Sequence, residues 1–167
     1  SAWLSDGVVR LMLASVPAYG HDQPNRGTLM LPQVTDQATQ RITTLADCSE
    51  VLRPIGNVGT ELITVIGFQP TSPTSYSTTV AAGDSQISYV SPKNLIVGAQ
   101  KWDAGGPLES AGAPSTSVME FDFDGTAAVY AASGTVSGSV RDRWSVDAYD
   151  DTVRLAVANG DSNSIVV

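Results

Sequence analysis

Tyr149 to Ala158 reads YDDTVRLAVA, and Ser5 to Ala14 reads SDGVVRLMLA. Each opens on an acidic, turn-forming step and runs into β-branched and aliphatic residues. The same Val-Arg-Leu triplet sits in register in both, as Val9, Arg10, Leu11 and as Val153, Arg154, Leu155. A looser copy, SPKNLIVGAQ, spans Ser91 to Gln100 between them. One strand is used three times, and self-similarity at a period of a few tens of residues is the mark of solenoids, propellers and arrays.

The intervals between copies are unequal, and the inequality locates an insertion. Ser5 to Ser91 is about 86 residues and Ser91 to Tyr149 about 58, so the first interval carries roughly 28 extra if the shorter one is the repeat. A second pair of strands supports the shorter value: Leu62 to Gln69, LITVIGFQ, resembles Ser117 to Asp124, SVMEFDFD, with Phe68 and Phe123 as equivalent aromatics. The extra residues therefore lie before Glu61.

Within that insertion, Val16 to Pro32 carries turn-forming and polar residues without periodicity and reads as an exposed loop. Val34, Ala38, Ile42 and Leu45 then recur three or four apart, Thr35 can cap an N-terminus, and Asp36 stands where a helix dipole favours negative charge. This spacing predicts a short helix over Thr35 to Cys48. Elsewhere the chain predicts strands: two hinged at Ser5-Asp6-Gly7, then Ser77 to Ala82, Gln86 to Ser91, Asn94 to Trp102, Val118 to Phe123, Ala127 to Ala132, Trp144 to Ala148 and Thr152 to Ala158, with another beginning at Ile165. Asp103 to Ser115, rich in Gly, Pro, Ala and Ser, predicts a second flexible loop.

Composition narrows the class. Among 167 residues, 42% are hydrophobic and 16% charged, with 15 Gly and 9 Pro, a balance that suits strands and turns in one domain's worth of chain. A formal net charge of -8 argues against a nucleic-acid partner, which needs clustered Lys and Arg. No apolar run approaches the roughly 18 residues of a membrane helix. The chain opens at Ser1-Ala-Trp just before a strand and closes at Ser164-Ile165-Val166-Val167 within one, so it reads as a piece of a longer protein.

No residue type in a chemically meaningful pattern nominates a catalytic, cofactor-binding or metal-ligating residue. Cys48 is the only cysteine, which excludes an internal disulfide or a thiolate cluster. It reads as a small half-buried residue after the helix, or as one half of a disulfide completed elsewhere, and His21 is its sole candidate base. Asp122, Asp124 and Gly125 match the core of an oxygen-ligand calcium loop, but the acidic residue such a loop needs falls at Ala131, so an Asp-Gly hairpin turn is expected instead. Asp147, Asp150 and Asp151 form a second acidic group, expected at a hairpin tip. There is no Gly-x-Ser-x-Gly elbow for a serine nucleophile. Glu50, Glu61, Glu109 and the aspartates offer carboxylates without selecting the pair that glycoside hydrolysis requires. Gly105-Gly106-Pro107 lacks the lysine and the strand-to-helix setting of a phosphate loop.

Short strands in hairpin order, four to a repeat, fit the blades of a β-propeller better than a sandwich, which has no reason to repeat its sequence. The expected fold is all-β: a single propeller fragment over residues 1–167, of about two to three four-stranded antiparallel blades, with a loop and one short helix inserted at about residues 17–60. Its open strand edges predict self-association.

Ala132 to Gly138, ASGTVSG, followed by Trp144 to Ala156, WSVDAYDDTVRLA, resembles the strongest motif of a family of bacterial secreted β-propeller domains, distantly WD40-like, approximately ASGxVPGxxxxQFSMDEYDGxLRVAT. Weaker likeness extends to Ser5 to Leu13, to the segment before Pro54 and to Ile87 to Val97. This chain departs from the motif at Trp144 for phenylalanine, Ala148 for glutamate, Asp151 for glycine and Ser137 for proline. The resemblance implies a secreted or surface-held location and no common reaction. Under it, Trp144 and Tyr149 become amphipathic anchors in adjacent strands, Gly134 and Gly138 allow sharp passage between blades, and Asp150-Asp151 forms a hairpin tip. The expected function is a non-catalytic scaffold or interaction module with an unknown protein or glycan partner. The alternative is a glycan- or peptide-processing enzyme whose site is completed by blades outside this chain.

Overall fold

A computed structural model of the chain describes residues 1–16, 31–54, 59–102 and 114–167. Most of the two expected long loops falls outside these residues.

The first sheet is antiparallel, in the order β1 (Ala2–Ser5), β2 (Val8–Ser15), β5 (Leu62–Phe68), β6 (Tyr76–Ala82). The β1–β2 hairpin turns at Asp6 and Gly7, both at positive φ, the requirement of a tight turn matched to strand twist. Alternation along β2 buries Val8, Arg10 and Met12 on one face. The apolar run of β5 occupies a central position and buries Leu62, Ile63, Thr64 and Val65. The inserted segment returns at Leu52, whose amide donates to the Val80 carbonyl (2.9 Å) and whose carbonyl accepts from the Ala82 amide (2.8 Å), adding a single-residue parallel bridge to the outer edge of β6.

The insertion departs from the sequence expectation. In place of a helix over Thr35 to Cys48, β3 (Gln33–Thr35) and β4 (Ile42–Thr44) form a hairpin, and only Cys48–Glu50 makes a single 3-10 turn. The reason is local. Val34, Thr35, Ile42, Thr43 and Thr44 are β-branched and favour strands. The Asp36 carboxylate accepts from the amides of Ala38 (2.8 Å) and Thr39 (3.2 Å), which builds a turn, and Gln40 lies at φ 55, outside a right-handed helix.

The second sheet runs β7 (Ile87–Val90), β8 (Asn94–Trp102), β9 (Pro114–Asp124), β10 (Ala127–Ser137), and the third is built on β13 (Thr152–Asn159). In the third sheet, β14 (Ser162–Val166) pairs with one edge of β13. Both β11 (Ser139–Val140) and β12 (Val146–Tyr149) pair with the other, as one strand interrupted by a 3-10 turn at Arg143–Ser145. The three quoted copies are thus β2, β8 and β13, the second strand of each sheet, and LITVIGFQ and SVMEFDFD are third strands, β5 and β9.

Contacts divide the chain into two compact units. The first holds the first sheet, the described insertion and Asp124–Val129; the second holds Ser85–Phe123 and Tyr130–Val167. In the first, the tip of the β9–β10 hairpin approaches β5 so closely that a Cβ on Gly67 would collide with the Thr126 carbonyl oxygen. In the second, Ile87, Ile96, Val140, Val146, Leu155 and Val157 form a buried cluster. Passage from β10 to β11 uses Gly138, at φ +107, where a Cβ would strike Val157. The buried Thr116 hydroxyl secures that passage, donating to the Gly138 carbonyl (2.9 Å) and accepting from the Val140 amide (3.1 Å). Gly134 has open space around it and no such demand.

Candidate functional site

In the second unit a cavity of about 490 Å³ opens where the β7–β8 turn, the end of β9 and the β12–β13 turn come together. The first wall follows from the sequence Ser91-Pro92-Lys93-Asn94. The Ser91 hydroxyl oxygen accepts from the amides of Lys93 (3.1 Å) and Asn94 (3.0 Å), and the hydroxyl donates to Asn94 Oδ1 (2.5 Å). Asn94 Nδ2 in turn donates to Glu120 Oε1 at 2.6 Å. Ser91 and Asn94 are buried, so this chain of bonds fixes the Glu120 carboxylate from beneath.

The second wall is β9. Alternation places Met119 and Phe121 in the interior and turns Glu120 and Asp122 the other way, opposite Ile96 and Asn94 of β8. The third wall is the β12–β13 turn, in which Asp150 and Asp151 both take positive φ. Lys93 Nζ lies 3.6 Å from Asp151 Oδ1, with both side chains in solvent. Beside the turn stands Tyr149, 68% exposed, with the Arg154 guanidinium 5.5 Å from its ring centroid and 3.2 Å from Asp147 Oδ2.

The cavity presents four carboxylates, one ammonium, an amide and a phenol ring. That set suits polyhydroxylated or cationic groups, which carboxylates accept from and an aromatic face can stack on. The Ser91 hydroxyl is engaged on all sides: its proton is committed to Asn94 and its oxygen accepts from two amides, and among the described residues no histidine lines the cavity.

The residues singled out by sequence fall in different places. Asp122 lines the cavity, while Asp124 ends β9 and Gly125 turns the hairpin at φ +56, the expected turn. The Gly125 carbonyl accepts from Arg10 Nη2 at 2.6 Å, and desolvation by burial holds the Arg10 guanidinium below its ordinary pKa, partly offset by Asp6. Asp150 and Asp151 form a hairpin tip as expected, and Asp147 pairs with Arg154 across the strands. Among the described residues, no three His, Cys, Asp or Glu side chains are grouped to hold a metal ion.

Cys48 is exposed within the 3-10 turn rather than half-buried after a helix, and the Glu50 carboxylate accepts from the Asp47 amide there (2.7 Å). Glu61 lies before β5 in the first unit, where its amide donates to Asp84. Trp144 and Tyr149, expected as amphipathic anchors in adjacent strands, do not lie in adjacent strands: Trp144 is 82% exposed in the second 3-10 turn, stacked under Arg143, and Tyr149 is exposed at the end of β12. His21, Glu109 and Gly105-Gly106-Pro107 lie outside the described residues. Glu120, the carboxylate best held at the cavity, was not among the sequence candidates. The signal for it was present in SVMEFDFD, whose period of two sets Glu120 and Asp122 on one face.

Three sequence-equivalent hairpins, each contributing the second strand of an antiparallel sheet, define the class as a β-propeller built of repeated blades. In agreement, the model of a family described as a beta propeller domain matches residues 5–166, and the chain belongs to that family. No curated protein matches the chain, and no solved structure does. Among the described residues no helix is long and apolar enough to cross a membrane.

Proposed function

We propose that this chain is a non-catalytic, extracytoplasmic segment of one β-propeller domain, an interaction module that recognises a protein or glycan partner through its hairpin turns. The observation that carries the reading is the cavity between those turns. Its polar side chains are held by one another, Ser91 to Asn94 to Glu120 and Lys93 to Asp151, as suits a preformed surface for recognition. The resemblance of Trp144 to Ala156 to bacterial, distantly WD40-like propellers supports a secreted or surface-held location. Carboxylates crowd this surface and the chain is acidic throughout, which opposes a phosphate-backbone partner.

The test is binding. Oligosaccharides and basic peptides titrated against the chain are expected to shift the amide resonances of Lys93, Glu120 and Tyr149, and Tyr149→Ala to weaken that binding about tenfold. Glu120, Asp122, Asp150 and Asp151 around one cavity favour a second reading, hydrolysis of a glycan by a carboxylate pair. Turnover of a polysaccharide or peptide that Glu120→Gln abolishes would overturn the non-catalytic reading in its favour.

A further inference from the structure

The β13–β14 hairpin carries the chain's only Asn-Gly step, Asn159-Gly160. Asn159, the last residue of β13, pairs with Ser162, the first of β14, so the turn between them consists of Gly160 and Asp161. Gly160 takes φ +61, as the first position of such a turn requires, and an added Cβ there would meet no described atom within 4 Å. Asn159, Gly160 and Asp161 are all exposed to solvent. The Ser162 hydroxyl donates to the Asn159 carbonyl oxygen at 2.9 Å. A side-chain amide, the peptide nitrogen that follows it and a hydroxyl on the intervening carbonyl are thus gathered at one turn.

We propose that Asn159 is a site of spontaneous backbone modification, converting to isoaspartate with loss of ammonia, and that Ser162 both promotes and directs the conversion. The Gly160 amide gives its proton to solvent base, and its nitrogen attacks Asn159 Cγ. The new C–N bond closes a five-membered imide while the side-chain nitrogen takes up a proton and leaves as ammonia. Glycine permits this closure because it has no Cβ in the way and few conformational restrictions. The hydrogen bond on the Asn159 carbonyl oxygen draws charge from that peptide group, which makes the Gly160 N–H more acidic and the first step faster. Water then adds to either imide carbonyl and breaks its C–N bond. Addition at the main-chain carbonyl carbon, the one that Ser162 polarises, leaves the chain running through the side chain as isoaspartate, whereas addition at Cγ gives ordinary aspartate. Isoaspartate lengthens the main chain by one atom where Asn159 pairs with Ser162, and it adds a negative charge two residues from Asp161, so the conversion loosens the pairing of β14 with β13.

Ageing the full chain in mildly alkaline buffer, with digestion and fragment mass spectrometry at intervals, tests it. Asn159 is expected to exchange its side-chain NH2 for OH with isoaspartate as the main product, while Asn94 and Asn163 stay intact. Ser162→Ala is expected to slow the conversion about threefold to tenfold, the kinetic worth of one hydrogen bond, and to raise the share of ordinary aspartate. Ser162→Thr, which keeps the hydroxyl, should restore both. The chain unfolded in urea, where no hydroxyl is held on the carbonyl, should give a smaller share of isoaspartate than the folded chain, a comparison that needs no variant to fold. Amide hydrogen exchange in the converted chain is expected to quicken over Ser162 to Val166 and to stay as it was in β5. An Asn159 that remains intact in the folded chain would overturn the proposal. So would an unchanged rate or product ratio in Ser162→Ala, the same ratio in folded and unfolded chains, or unaltered exchange in β14 after conversion.

Discussion

Asp151 shows how a single residue can carry a local cost. The equivalent β1–β2 turn places Gly7 at φ 73, where glycine meets no penalty, but the β12–β13 turn places Asp151 at φ 59 and Asp150 at φ 51. A left-handed conformation costs an L-residue on the order of 1 kcal/mol, less for aspartate than for most. The exposed ion pair to Lys93 returns little of this. Asp151→Gly is therefore expected to stabilise the chain by roughly 0.5–1 kcal/mol, read as a rise of a few degrees in Tm. The position was legible in the sequence, because the family motif has glycine there. The environments of Arg10, Ile96 and Arg154 were not, although they align: Arg10 and Ile96 are buried and Arg154 is half exposed. Strand pattern fixes which face a side chain takes, while its cover comes from elsewhere in the chain.

At the scale of the element, the β3–β4 hairpin is the instructive case. Its apolar residues recur at intervals that a helix would also show, and what decides between the two is the turn. The Thr39 hydroxyl and amide, with the Ala38 amide, hold the Asp36 carboxyl below its ordinary pKa of 3.8. A carboxylate with a lowered folded pKa contributes its stabilisation fully above the unfolded value and loses it as pH falls through the folded one. The turn is thus expected to stay closed at neutral pH and to loosen only below pH 3.8. Chemical shifts of the Ala38 and Thr39 amides followed to pH 2 should show this transition, and Asp36→Asn, which keeps an acceptor without the charge, should remove it. The β2, β8 and β13 strands needed no such arbitration, since an Asp-rich or Ser-Pro step before a β-branched run has few other readings.

For the whole molecule, repetition was readable because each sheet reuses the same strand order. The cavity was not, because its walls come from Ser91–Asn94, Glu120–Asp122 and Tyr149–Asp151, segments distant in sequence that the pairing of β8 with β9 and the tertiary contacts of the second unit bring together. Charge acts on the same scale. With a net charge of -8 at neutral pH and an isoelectric point near 4.3, the chain repels its own copies most above neutrality and least around pH 4.3. Light scattering against pH should therefore show its solubility minimum there, rising again on the acid side.

The bridge at Leu52 has a consequence for survival in solution. A sheet ends in a row of unpaired amides and carbonyls that invites any passing strand, and evolution commonly blunts such a row with a charge, a proline or a cover. Here the residues that lengthen the first repeat supply the cover: Leu52 fills the hydrogen-bonding positions of Val80 and Ala82 that a stranger would otherwise take. The insertion that disturbs the regularity of the repeat thereby acts as a gatekeeper, and a tidier chain without it would be the one more prone to aggregate.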